Sequence, residues 1–329
     1  WAYEVPWSLS FVAPGNTGDQ LLEPANARNV VAVGATTKLS QPTIWQSSST
    51  GPTDSGTRGI FVVAPGVSIQ SANADGLFDS YNNDLRASSG TSMSTPMAAS
   101  FAGILQQLVE DGWIAGSNEA TSPTNLSDIK PQWSTLPSTN LLLSEGFTPS
   151  GALLKSLMVL STSPIANENE YFLPNENAGW GILDLSQLID LNELKGDLGQ
   201  QAIAPASDIW VHDSFRIEQN FSEIIHNRIG ENGVNSLLQN PWNGDEAIGP
   251  FLQSGDVWKK RLVPLEGKDL RAVMSFNANP EPHLVHDMML VIRTSNGDIL
   301  TGENYDIDGY STFLPASTDI YTIAKSNET

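Results

Sequence analysis

Apolar residues in the first half of the chain come in short, near-continuous runs, at 9–13, 30–33 and 60–63. Runs without polar alternation suit strands covered on both faces, as in a parallel sheet flanked by helices. Turn clusters close two of them, Pro14-Gly15-Asn16-Thr17-Gly18 and Ala64-Pro65-Gly66. After Ser92 the period changes. Small residues at Ala98, Ala99, Ala102 and Gly103 predict a helix to about Glu110 that packs closely beneath the sheet. Pro96 falls in its first turn, where a missing N–H costs little. Helical spacing returns at Leu153, Leu154, Leu157, Met158 and Leu160, and a short helix is expected around 185–191. Residues 112–150, rich in Ser, Thr, Pro and Asn, read as a surface excursion, and 196–207 as a linker. Beyond it, β-prone runs at 257–265, 270–276, 288–293 and 311–314 are separated by turns such as Ser295-Asn296-Gly297, which predicts an antiparallel sandwich. The expected division is 1–200 as an α/β unit and 201–329 as a β-sandwich.

Composition narrows the function. An apolar share of 40% with 16% charged residues describes a folded protein. Sixteen basic against 37 acidic residues give a net charge of −21, which disfavours nucleic acid and anionic membranes as partners. The absence of cysteine removes disulfides, zinc–thiolate sites and a cysteine nucleophile together. No apolar run reaches membrane-spanning length. The start at Trp1, without a basic and apolar leader, is expected of a processed or excised end.

The candidate chemistry lies in Gly90-Thr91-Ser92-Met93-Ser94-Thr95-Pro96, which sets a serine between a glycine turn and a helix of small residues. A hydroxyl at the positive end of a helix gains from fixed dipoles when it attacks a carbonyl. The backbone N–H of Ser92 is one candidate donor to the resulting oxyanion. The turn after the first strand can offer a second, the Asn16 side-chain amide, a neutral donor. Read alone, the serine segment favours a helix cap, and Asn16 has a turn residue as its plain alternative.

The two segments, in chain order, resemble the oxyanion-asparagine block and the serine block of the subtilisin-like serine proteases, the subtilases. Asn29-Val30-Val31-Ala32-Val33-Gly34-Ala35 is similar to the family's strand ending in Val-Gly-Ala, and Ala64-Pro65-Gly66 to its Ala-Pro-Gly turn. Residues 153–162 and Gly179-Trp180-Gly181 resemble the helix and Gly-x-Gly segment that close the catalytic domain. Met97 and Ser100 depart from the family's usual His and Gly, at positions without chemistry. The resemblance implies a partial subtilisin-like, doubly wound parallel sheet. It also implies a serine endopeptidase with Ser92 as nucleophile, Asn16 as oxyanion donor, and Ala13, Pro14 and Gly15 as one wall of the specificity pocket. The reaction needs no cofactor, and the substrate is a protein or peptide.

The family's acid and base precede its serine, and here no histidine does. His212, His226, His283 and His286 all lie in the distal region, where surface or sandwich positions are expected. Asp54-Ser55-Gly56 imitates the family's acid motif, but it follows a polar loop instead of a buried strand and comes after the oxyanion turn. It is set aside. The expectation is a cleaved precursor whose separate N-terminal chain supplies Asp, His and inner strands; the rivals are a truncated sequence and an inactive subtilase-fold binding or scaffold protein.

The distal region resembles the jelly-roll-like β-sandwich appended to some bacterial subtilases, although His286, Met289 and Glu303 depart from its strand and turn pattern. A further reading gives that module carbohydrate or ion binding. Asp306 and Asp308 are candidates for a structural Ca²⁺ site, since carboxylates at alternate positions suit a hard cation; alone, such a pattern is commonly a solvated turn. The family resemblance implies a secreted or extracellular protein.

Overall fold

A computed structural model describes residues 2–3, 5–54, 59–110, 114–115, 147–165, 174–188, 206–215, 247, 249–261, 270–279, 288–293, 295, 297, 299–301 and 320–325. In chain order they form β1 (Ser10–Val12), β2 (Val30–Thr36), β3 (Val62–Pro65), β4 (Ile69–Ala72), β5 (Leu85–Ser88), α1 (Thr91–Glu110), β6 (Ile114–Ala115), α2 (Gly151–Leu160), β7 (Thr162–Ser163) and β8 (Ile182–Leu183). A 3₁₀ turn (Leu185–Gln187) follows, then β9 (Ala206–Trp210), β10 (Leu270–Ser275), β11 (Val291–Arg293), β12 (Ile299–Thr301) and β13 (Ile320–Lys325).

The central sheet runs β1-β2-β3-β8-β7, parallel except for the β7–β8 pair. Alternation along the strands divides its core in two. Val31, Val33, Val62 and Ala64 face the core that holds Ala98, Ala102, Leu105 and Val109 of α1 and Leu153, Leu154, Leu157 and Met158 of α2. The opposite face carries Val63 against Ile165 and Ala178, and Ala32 against Leu21 and Ala25. Both faces are dry, which is why the strands read as continuous apolar runs. Loop residues cover the second face, so the expected winding of helices on both sides is not seen among the described residues. α1 stays close to the sheet because its first buried positions after Thr91 are Ser94, Ala98 and Ala102, whose small side chains let the backbones approach.

Several boundaries differ from the sequence reading. Ala206 and Ser207, assigned to a linker, begin β9, which pairs in parallel with β6. Ala206 stands opposite Ile114 in that pairing, which composition alone does not reveal. Residues 257–261 form no strand, and exposed Val257 at 72% explains why: no apolar face is buried there. The short helix expected around 185–191 is a 3₁₀ turn over its described part, capped by Asp184. The distal strands are antiparallel, as the two pairs β10–β13 and β11–β12. The run at 311–314 lies outside the described residues.

The distal strands are not detached from the α/β core. Asn29 exchanges two hydrogen bonds with the backbone of Ala278, at 2.6 and 2.9 Å. α2 is held at both ends: the Asp213 carboxylate accepts the Ser150 N–H at 2.7 Å, and Arg271 donates to the Val159 and Leu160 carbonyls at 3.2 and 3.0 Å. An anion at the start of a helix and a cation at its end both match the helix dipole.

Candidate functional site

The carboxyl ends of β1 and β3 lead into the two turns that meet the N-terminus of α1. This is the edge of a parallel sheet where ligands commonly sit. After β3, Gly66 accepts the Gly90 N–H at 2.8 Å and donates to the Thr36 carbonyl at 2.9 Å. A Cβ on Gly66 would lie 2.7 Å from the Ala35 Cβ and 2.8 Å from the Gly90 carbonyl. The Ala-Pro-Gly turn therefore ends in glycine because the backbone before Ser92 passes directly over it.

After β1, Pro14 is buried, while Ala13 and Gly15 are half-buried. Gly15 has φ +122° and would bring a Cβ to 2.8 Å from the Ser49 Oγ. Its carbonyl accepts the Ser49 N–H at 3.0 Å, and Gly18 donates to the Ser47 carbonyl at 2.9 Å. The Ser49 hydroxyl also meets the Thr17 hydroxyl at 3.0 Å. The segment around Ser47 to Ser49 thus sets the shape of the turn that carries Asn16.

Asn16 then reaches the start of α1. Its Oδ1 accepts the Thr91 N–H at 2.8 Å and the Thr91 hydroxyl at 3.0 Å. A backbone N–H can only donate, so the atom facing it is the amide oxygen, and Nδ2 is left to donate elsewhere. Among the described residues Nδ2 has no acceptor. Thr91 is fully buried, and its hydroxyl also lies 3.2 Å from the Gly15 carbonyl.

The first turn of a helix has four N–H groups without helical partners. In α1, Thr91 gives its N–H to Asn16, and Met93 and Ser94 give theirs to the Gly90 carbonyl at 3.0 and 3.4 Å. The Ser92 N–H alone has no acceptor among the described residues. Its side chain is exposed, whereas Ser94 is buried and hydrogen-bonded to the Thr91 and Val33 carbonyls. Of these two hydroxyls, two residues apart, only Ser92 is open to solvent. The sequence-derived pair therefore meets at one helix end, with Ala13, Pro14 and Gly15 leading into it.

The other sequence candidates fall elsewhere. Asp54 is exposed and accepts the Gln20 side-chain amide at 2.7 Å. His212 is half-buried, 2.9 Å from the Gly249 carbonyl and tilted against Trp258 at 4.5 Å between ring centroids. His226, His283, His286, Asp306 and Asp308 lie outside the described residues. No group of three His, Cys, Asp or Glu side chains suited to a metal is found among the described residues. Thr91, a positioning group, is not singled out by the sequence; its one local mark is a hydroxyl-bearing residue between the glycine and the serine.

Comparison with known proteins shows the family. The Subtilase family, Peptidase S8, matches residues 7–181, just over half of the chain. A Dictyostelium discoideum relative, the serine protease/ABC transporter B family protein tagD, is 27% identical over 224 residues, or 57% of this chain. The chain spans 11% of that relative's length. Among solved structures, the prenylagaramide maturation protease PagA is 21% identical and overlaps 53% of this chain and 46% of its own, with a TM-score of 0.33. The patellamide maturation protease PatA is likewise 21% identical, overlapping 55% and 50%, with a TM-score of 0.34. With a subtilisin-like α/β fold, a mixed, largely parallel sheet and a family match across it, the chain belongs to the subtilases.

Proposed function

We propose that this chain carries the nucleophile and the oxyanion donors of a serine endopeptidase. The supporting observation is the accounting at the start of α1: the Ser92 N–H is unclaimed, its hydroxyl is open, and Asn16 is held with its amide oxygen turned inward. In the proposed reaction the Ser92 Oγ attacks a peptide carbonyl carbon while its proton passes to an imidazole. The carbonyl oxygen takes the negative charge and accepts hydrogen bonds from the Ser92 N–H and the Asn16 Nδ2. Collapse expels the amine, which leaves with that proton, and water hydrolyses the resulting ester. Ala13, Pro14 and Gly15 form one wall for the substrate side chain. The chemistry requires no cofactor.

The base is assigned to a separate N-terminal chain of the same precursor, bringing Asp and His to the free side of β1. β1 pairs with β2 alone among the described residues, and its three residues are only half-buried. A strand edge of this kind accepts another strand. The protein is placed outside the cell, its distal β-strands are completed as a sandwich, and any structural Ca²⁺ is assigned to Asp306 and Asp308. Each is a proposal resting on the family.

A fluorophosphonate probe applied to the undissociated protein tests the function. Labelling on Ser92 that vanishes in Ser92→Ala supports it, and mass spectrometry of the same sample should show a second polypeptide bearing Asp and His. A reading as an inactive scaffold is favoured by the lack of any base beside Ser92 among the described residues. Absence of labelling in the intact assembly decides for it.

A further inference from the structure

β4 and β5 form a two-stranded antiparallel ribbon, with Ile69 opposite Ser88 and Ala72 opposite Leu85. Seven of its eight residues are exposed, and the eighth, Ile69, is half-buried. A ribbon with so little buried is marginal in water by itself. Its tip is nevertheless ordered by its own hydrogen bonds. Asp75 Oδ1 accepts the Leu77 N–H at 2.9 Å, Asn82 Oδ1 accepts the Asp84 N–H at 3.1 Å, and Asn73 donates to the Asp84 carbonyl at 2.9 Å. This loop holds Leu77, Phe78 and Tyr81 outward at 67, 107 and 103% exposure, with Leu85 beside them at 67%. Scattered surface apolar residues need no explanation, but Leu77, Phe78 and Tyr81 fall within five positions of one prebuilt loop, which holds them out as surface for a contact.

Charge and position identify the occupant. Residues 73–84 contain Asp75, Asp79 and Asp84 and no basic residue; the ribbon's one cation, Arg86, sits lower on β5. Hydrogen bonds from Ser80 and Leu77 hold the Asp75 carboxyl below its usual range, so the charge persists into acid. β5 runs through Ser89, whose hydroxyl accepts the Ser68 N–H at 2.9 Å, straight into Gly90 and Ser92. The ribbon is therefore an arm rooted at the nucleophile turn.

Building on the proposed protease reading, we propose that this arm is a docking site for polypeptide substrates. It takes a segment that mixes basic with aromatic or aliphatic residues, outside the residues flanking the scissile bond. Phe78, Tyr81 and Leu77 receive the apolar side chains, and the three aspartates select the cations.

The test uses the undissociated protein carrying Ser92→Ala, so that binding is read without turnover. The probe is a fluorescent 20-residue peptide of alternating Lys and Leu or Phe, compared with its Glu-for-Lys counterpart. Binding of the basic peptide is expected to weaken at least tenfold in Phe78→Ser/Tyr81→Ser. In Asp79→Asn/Asp84→Asn it should weaken and lose most of its salt dependence, with the melting temperature unchanged in both. The acidic peptide should not bind. Equal affinity in the variants, or equal binding of both peptides, overturns the proposal. So does sedimentation showing that the arm joins two copies of this chain. Fluorophosphonate labelling of the arm variants with Ser92 intact should proceed at the parental rate, so failure of the arm is distinct from failure of the nucleophile.

Discussion

Thr91 fixes which end of the Asn16 amide is turned toward α1. Both of its donors point at the Asn16 Oδ1, and its hydroxyl also reaches the Gly15 carbonyl. Thr91→Val keeps the shape and the N–H but removes the hydroxyl. In the assembled protease kcat for a short peptide is expected to fall about tenfold, or ~1.4 kcal/mol of barrier, with KM within about twofold. Thr91→Ser should recover most of the loss. Asn16→Leu removes the donor itself, and a fall in kcat of about 10²–10³ is expected, the cost measured for the side-chain donor of a subtilisin. Steady-state kinetics on the four proteins check both outcomes. The helix start at Ser92 and the turn carrying Asn16 were readable from sequence because each sits in a short motif whose neighbours dictate that local structure. Thr91's task was not, because its partner lies 75 residues away.

At the scale of elements, the turn after β3 and the turn before α1 are one packing unit. Gly66→Ala drives a methyl into Ala35 and the Gly90 carbonyl. A destabilisation of about 1–3 kcal/mol is expected from such overpacking, together with slower fluorophosphonate labelling, because the shifted backbone carries Ser92. Thermal melting and labelling rate measured side by side check this; a normal rate at a lowered melting temperature would separate the two turns. Asp184 makes a second clamp, between β7 and the 3₁₀ turn. Burial raises its pKa, but hydrogen bonds from Ser186, Gln187 and Ser163 outweigh that and hold it below the usual aspartate value of 3.8. A lowered folded pKa contributes stability that is present above the unfolded pKa and lost as pH falls through the folded one. The clamp should therefore persist at neutral and mildly acid pH and fail only below about pH 4. Asp184→Asn should narrow the stability difference between pH 7 and pH 3 in urea titrations. Strands and helices in this half were legible because their apolar periods are local. The strand at 206–210 was not, since its pairing with β6 depends on chain brought back from far away.

Across the whole molecule, residues beyond the family match finish structures that lie within it. Asp213 is buried at the head of α2 and Arg271 lies at its tail. Asp213→Ala leaves the buried Ser150 N–H without its acceptor and should cost about 1–3 kcal/mol. Arg271→Ala should cost less, about 0.3–1 kcal/mol, as an exposed charge at a helix end. Urea denaturation measures both, and because the two residues act on one helix a double-mutant cycle should show coupling between them. Such contacts carry no local signature, which is why composition divided the chain more sharply near residue 200 than the described contacts do. Arg271 meets carbonyls 111 positions behind it. During synthesis, α2 leaves the ribosome long before the side chain that completes its last turn has been translated. The front half can therefore fold first but lacks this contact until the rear is made, and a nascent chain stalled between these points would hold a helix with an open end.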